Sequence, residues 1–130
     1  MLLTKEQILG ASDIVKEKVK VPEWGGEVYV KGLTGSERDK FESSIIEMRG
    51  TTQKFNMINV RAKLACFALC DETGKRLFTD EEVHELAKKS ANALQRVFDV
   101  AQKLSGIGNS DVESLLKNSE SAQAEDSASV

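Results

Sequence analysis

The stretch Phe55-Asn56-Met57-Ile58-Asn59-Val60-Arg61-Ala62-Lys63-Leu64-Ala65-Cys66-Phe67-Ala68-Leu69-Cys70 decides how the rest of the chain is arranged. As a helix, it has Phe55, Met57, Ile58, Val60, Leu64, Ala65, Phe67, Ala68 and Leu69 around most of its circumference. Only the line Asn56, Asn59, Lys63 stays polar, and Cys66 and Cys70 continue that line. A helix that is apolar nearly all round is a buried one. The segment from Phe55 to about Cys70 is therefore expected to be the central helix, with the other elements laid around it.

On its N-terminal side, Thr34 with Glu37 forms a capping box that opens a helix to about Arg49, with Phe41, Ile45, Ile46 and Met48 as its apolar side. Gly50-Thr51-Thr52 breaks it. Further upstream the apolar period shortens to two. Val19 and Val21 alternate with Lys18 and Lys20, and Val28 and Val30 flank Tyr29, with the turn-forming Pro22-Glu23-Trp24-Gly25-Gly26 between the two runs. This predicts a β-hairpin over about residues 17–31, whose valine face must pack on helices because two strands alone are marginal in water. The chain opens with a short helix ending near Gly10, capped by Thr4 and Gln7, with Leu3 and Ile8 placed as a hydrophobic staple.

On the C-terminal side, Asp71-Glu72-Thr73-Gly74-Lys75 reads as a turn. Thr79 with Glu82 caps a helix to about Lys89, with Phe78 and Val83 as a staple. Ser90 opens another, whose stripe is Leu94, Val97, Phe98, Ala101 and Leu104, stopped by Gly106 and Gly108. Ser110 with Glu113 marks a last short helix ending near Lys117. Residues 118–130 are polar, with three acids and no base, and have too little apolar surface to offset the entropy of ordering. The expected fold class is α+β: a mostly helical single domain over residues 1–117, with about five or six helices, the N-terminal hairpin and a disordered acidic tail at 118–130.

Bulk properties narrow the function. Apolar residues make up 40% and charged residues 30% of 130 residues, while aromatics are only 5%, which suits a helical domain with a well-solvated surface. Formal net charge is -3 and the isoelectric point about 5.3, with Lys and Arg interspersed among acids, as in Glu37-Arg38-Asp39-Lys40. Nucleic-acid binders draw affinity from a clustered basic face, so nucleic acid is not an expected partner. No apolar run approaches the ~20 residues that span a bilayer. The two cysteines, four apart on one expected helix, rarely meet disulfide geometry, which points to a reducing cytoplasm.

No catalytic, cofactor-binding or metal-binding residue is assigned. His84 has no nucleophile motif to serve as base for. Cys66 and Cys70 with one distant histidine do not make a tetrahedral zinc set. Asp71-Glu72-Thr73-Gly74 lacks the alternating acids of a calcium loop. The expected role is therefore non-enzymatic protein binding. Trp24, at a hairpin turn, is of the residue type most often found in binding hot spots. The apolar positions of the central segment beyond one core-facing stripe are the other candidates. Trp24, Tyr29, Phe55, Met57, Val60, Leu64 and Phe67 make up the candidate partner-binding set.

Several segments taken in order carry a family likeness. They are Leu2-Leu3-Thr4-Lys5-Glu6-Gln7-Ile8-Leu9, Val21-Pro22-Glu23-Trp24-Gly25-Gly26-Glu27-Val28-Tyr29-Val30, Leu33-Thr34-Gly35-Ser36-Glu37-Arg38, Leu77-Phe78-Thr79-Asp80-Glu81-Glu82-Val83 and Val97-Phe98-Asp99-Val100-Ala101-Gln102-Lys103-Leu104-Ser105-Gly106. The order resembles the tail assembly chaperones of bacteriophages with long non-contractile tails, over most of the chain up to about Ser119. The resemblance implies a protein that binds the tape measure protein, keeps it soluble and helps recruit tail tube subunits. It also implies self-association, residence in the cytoplasm of the infected host and absence from the finished virion. Such proteins are often made in two lengths by programmed frameshifting, the longer form recruiting the tail tube protein, and this chain would be the short form. A slip site across Leu116-Lys117-Asn118 would fit. The alternative is a small structural virion protein at the head-tail junction.

Overall fold

Strand β2, Gly26–Lys31, is the centre of a three-stranded antiparallel sheet in a computed structural model that describes residues 1–49 and 52–107. The side chains at 47–49, 53 and 55 are outside that description. β1, Lys16–Val21, pairs with β2 in a register running from Lys16↔Lys31 to Val21↔Gly26. The connection is one 3-10 turn, Pro22–Trp24, closed by the Gly25 N–H on the Pro22 carbonyl at 3.0 Å. The predicted hairpin is thus present. Its alternation sends Val19, Val21, Val28 and Val30 to one face and Lys16, Lys18, Lys20 and Tyr29 to the other.

The remaining elements in order are α1 (Lys5–Gly10), α2 (Gly35–Ser44), β3 (Ile46–Arg49), β4 (Thr52–Phe55), α3 (Val60–Ala68), β5 (Leu69–Cys70), a 3-10 turn at Asp80–Glu82, α4 (Val83–Ala87) and α5 (Ala91–Leu104). The class is α+β, with five α-helices among the described residues. α3 packs against α5 and α4, and α5 also lies on the valine face of β1 and β2. Leu64, Leu69, Val21, Val30, Val97 and Ile45 are fully buried where these layers meet. The α5 stripe behaves as its period requires: Leu94, Val97, Phe98 and Ala101 are buried, and Leu104 is half-buried.

Two expectations are corrected. The helix opened by Thr34 ends at Ser44, five residues before Arg49. Ile46–Arg49 and Thr52–Phe55 instead form a second hairpin, from Ile46↔Phe55 to Arg49↔Thr52, and Asn56 N–H donates to the Ile45 carbonyl at its base. Adjacent β-branched Ile45 and Ile46 suit a strand at least as well as a helix, and the pairing partner decides between them.

The central helix is shorter than the 55–70 expected. It starts at Val60, after Asn59 in the left-handed region (φ 61), and ends at Ala68. Leu69 and Cys70 turn away to pair with Val30 and Tyr29 as β5. Cys66 thus stays on the helix and Cys70 leaves it, and both are buried.

Local signals set the ends of several elements. Thr4 Oγ1 accepts from the Gln7 N–H at 3.3 Å while Gln7 Oε1 accepts from the Thr4 N–H at 2.9 Å. Thr34 and Glu37 repeat the arrangement at 3.1 and 3.0 Å. At Thr79 the Glu82 carboxylate accepts from both the backbone N–H and the hydroxyl. α5 ends on Gly106 in the left-handed region (φ 73), which lets Ile107 N–H reach back to the Gln102 carbonyl at 2.9 Å. The expected box at Ser110 and Glu113, its short helix and the 118–130 tail lie outside the described residues.

Candidate partner-binding surface

α1 forms because Thr4 and Gln7 satisfy its first free N–H groups, yet none of its residues is buried. Leu3 and Ile8, the staple positions, are 58% and 57% exposed, and Leu9 is 75% exposed. After Ala11 takes an extended conformation, Ile14 and Val15 also face water. Nine large apolar side chains are exposed among the described residues. Seven of them, including Met1 and Leu2, lie within the first fifteen positions, so the free apolar surface is concentrated in one segment.

The seven residues expected from sequence to bind a partner are scattered. Leu64 is fully buried and Phe67 is 7% exposed, so both belong to the core. Met57 and Val60 are half-buried against it. The side chain of Phe55 is outside the described residues. Trp24 packs on the core edge at the hairpin turn, which Arg96 ties to α5 by donating to both Glu23 carboxylate oxygens at 3.0 and 3.2 Å. That contact holds the Glu23 carboxyl below its ordinary pKa. The Trp24 indole N–H is buried without an acceptor among the described residues. Tyr29 lies on the opposite face of the sheet, beneath Lys16 and Lys18. Among the described residues, no single surface holds these side chains together. The exposed N-terminal segment was missed because a capping box announces a helix without announcing what covers it; the doublets Leu2-Leu3 and Ile8-Leu9 were the available signal.

A depression of about 520 Å³ lies between α2, α3 and α4. Phe67, Cys66 and Val83 supply apolar wall, and Lys40, Lys63, Asp80 and His84 supply charged or polar rim. Lys63 Nζ is engaged by the Ser44 carbonyl at 2.9 Å. Cys66 donates to the Thr79 carbonyl at 3.0 Å, and burial pushes its thiol pKa up against the lowering effect of Arg76. A thiol held protonated is a poor nucleophile. Arg76 spans this region, donating to the Cys66 carbonyl at 3.1 Å and to Asp80 at 2.9 Å while stacking on the Phe67 ring at 4.6 Å. The Asp71 carboxylate is occupied by its own turn, accepting from Thr73 N–H and hydroxyl and from Lys75 N–H. Among the described residues no group of three metal-ligating side chains comes together, and no helix is long and apolar enough to cross a membrane.

Among the described residues, the exposed large apolar side chains are thus concentrated on one short helix and its flanks. A search of curated proteins finds no match. Among solved structures, the fold is similar to the bacteriophage HK97 tail assembly chaperone, with a TM-score of 0.55 and 18% identity, over 76% of this chain and 90% of that one. At that identity the likeness is one of fold. The family model for phage tail assembly chaperones matches residues 5–126. With nearly its whole length inside that match, the chain belongs to the phage tail assembly chaperone family.

Proposed function

We propose that this chaperone binds the tape measure protein through its N-terminal segment and keeps that client soluble during tail assembly. The carrying observation is the run of Leu2, Leu3, Ile8, Leu9, Ile14 and Val15, all exposed, whereas the other large apolar side chains among the described residues are mostly packed. A long helical client with apolar stripes needs a matching apolar surface to cover it, and a helix laid in a groove is a recurrent solution. Each such contact is small. Many copies along one client, with contacts between neighbouring copies, reach high avidity without a large individual interface.

On this reading the chain acts in the cytoplasm of the infected host and leaves before the virion is complete. A longer form made by frameshifting near Lys117 would carry the surface that recruits tail tube subunits. Mass spectrometry of purified particles tests the first point, since a structural protein of the head-tail junction would remain in them.

The direct test is co-expression with the tape measure protein, comparing the native chain with a Leu3→Glu, Ile8→Glu, Leu9→Glu variant. All three positions are exposed, so the variant folds, which circular dichroism verifies. The expected result is loss of most soluble client. Equal solubilisation by the two proteins would discard the N-terminal segment as the contact.

A further inference from the structure

β1 is an edge strand: the sheet order is β1-β2-β5, and β2 bonds it on one side only. The phase of that ladder decides which backbone groups are left over. Gly32 N–H donates to the Val15 carbonyl at 2.9 Å, so Val15 and Gly32 form a bonded pair at the start of the ladder. Bonded and non-bonded pairs alternate in an antiparallel ladder, so Glu17, Val19 and Val21 turn their main-chain groups to Val30, Val28 and Gly26. Lys16, Lys18 and Lys20 turn theirs to the open side, where no described strand lies.

The same three residues carry the charge. Of the six side chains that the two strands place on the outer face, four are lysines, one is Tyr29 and only Glu27 is acidic. Lys31 is taken by Glu37 at 2.7 Å. Lys16, Lys18 and Lys20 are exposed and make no ion pair among the described residues, although Glu27 stands opposite Lys20. The Lys16 and Lys18 ammonium groups converge on the Tyr29 ring, 5.1 and 5.6 Å from its centre. The ring attracts each of them, yet it sets two cations close together.

Free main-chain groups and unpaired cations along one edge fit an added strand of opposite sign. Such a strand bonds the edge through its backbone, and every second side chain falls on the lysine face. Carboxylates at those positions stand opposite the lysines, where unlike charges stabilise a cross-strand pair. A second copy does not match. Its β1, laid antiparallel with the helices on the same side, sets Lys18 against Lys18 and Lys16 against Lys20. Lysine on an edge discourages such self-pairing, and the same charge selects for an acidic strand.

We propose that β1 is a docking edge for an extended segment of another protein that carries carboxylates at every second residue, matched to Lys16, Lys18 and Lys20. This edge is distinct from α1, and its test does not involve the tape measure protein.

The test is an NMR titration of the isotope-labelled, full-length protein with a cyclised β-hairpin peptide whose outer strand alternates glutamate and threonine. Cyclisation removes the cost of ordering the strand. At saturation the Lys16, Lys18 and Lys20 amides should exchange with solvent at least about tenfold more slowly, while those of Glu17 and Val19, already bonded to β2, stay as they were. A sister peptide with glutamine for glutamate should bind at least about threefold more weakly. So should the glutamate peptide to a Lys16→Thr, Lys18→Thr, Lys20→Thr chain, whose fold circular dichroism verifies. No binding of the glutamate peptide up to about 1 mM overturns the proposal, as does equal affinity for the two peptides. Binding without slowed exchange at those three amides also overturns it, since the contact is then one of charge alone. Slow exchange there in the free protein that fades on dilution overturns it too, assigning the edge to a second copy.

Discussion

A Cβ added to Gly32 would lie 2.6 Å from the carbonyl oxygen of Leu104. The end of β2 and the last turn of α5 approach backbone to backbone there, and the neighbouring Leu33–Ser105 hydrogen bond clamps the same junction. The atom in the way is main chain and cannot swing aside. Gly32→Ala should therefore cost about 1–3 kcal/mol, the usual penalty for overpacking, and lower the thermal midpoint by several degrees. A midpoint unchanged from the native protein would show that α5 shifts without penalty.

The core and the N-terminal segment should respond oppositely to truncation. Leu64→Ala removes a fully buried side chain between α3 and its neighbours and should destabilise by about 2–5 kcal/mol in urea unfolding. Leu9→Ser, at a position 75% exposed, should change stability by no more than about 0.5 kcal/mol while weakening client binding. A large stability loss from Leu9→Ser would mean that α1 packs on the body.

Glu37 links stability to pH. Burial works against its carboxylate, but hydrogen bonds from Lys31 and the Thr34 N–H, together with the Lys31 charge, outweigh that and hold the pKa below the ordinary 4.5. The unfolded chain therefore takes up this proton first as pH falls. The contribution is complete near neutral pH and is lost from about pH 5 downward, through the ordinary value to the folded one. Glu37→Gln keeps a side chain able to cap α2 but leaves Lys31 unpaired, and should cost about 1–3 kcal/mol at pH 7. Unfolding curves of the two proteins should converge at low pH, once the carboxyl is protonated in the folded chain as well. A gap that persists there would place the loss in packing.

Arg76→Lys tests geometry at constant charge. The guanidinium reaches the Cys66 carbonyl in the last turn of α3, pairs with Asp80 and covers Phe67. An ammonium lacks the planar fork and the stacking face, so a loss of about 1 kcal/mol is expected, measured by thermal denaturation. No change would show that charge near the helix end suffices.

Much of this fold is written in short-range signals. Thr4 with Gln7 and Thr34 with Glu37 start helices because the groups that satisfy the first N–H donors sit three residues apart on the same chain. The first hairpin is legible because Pro22 and the glycines bend the chain between two alternating runs. The stripe of α5 follows from a period that matches the helix. The site was less legible. The segment around Leu64 and Phe67 reads as buried from its all-round apolar character, and α3 is covered on nearly every side, but nothing local says which of its side chains would be left for a partner.

What the sequence by itself determined is the class, the first hairpin, the helix starts at Thr4, Thr34 and Ser90, and the family likeness. Tertiary structure alone decided that Leu69 and Cys70 leave the helix to pair with β2. It likewise decided that Ile46–Arg49 pairs with Thr52–Phe55, and that most exposed large apolar side chains among the described residues lie on α1 and its flanks. The reason is physical: caps and periods act within a few residues of the chain, whereas strand pairing and burial depend on which distant segment arrives alongside.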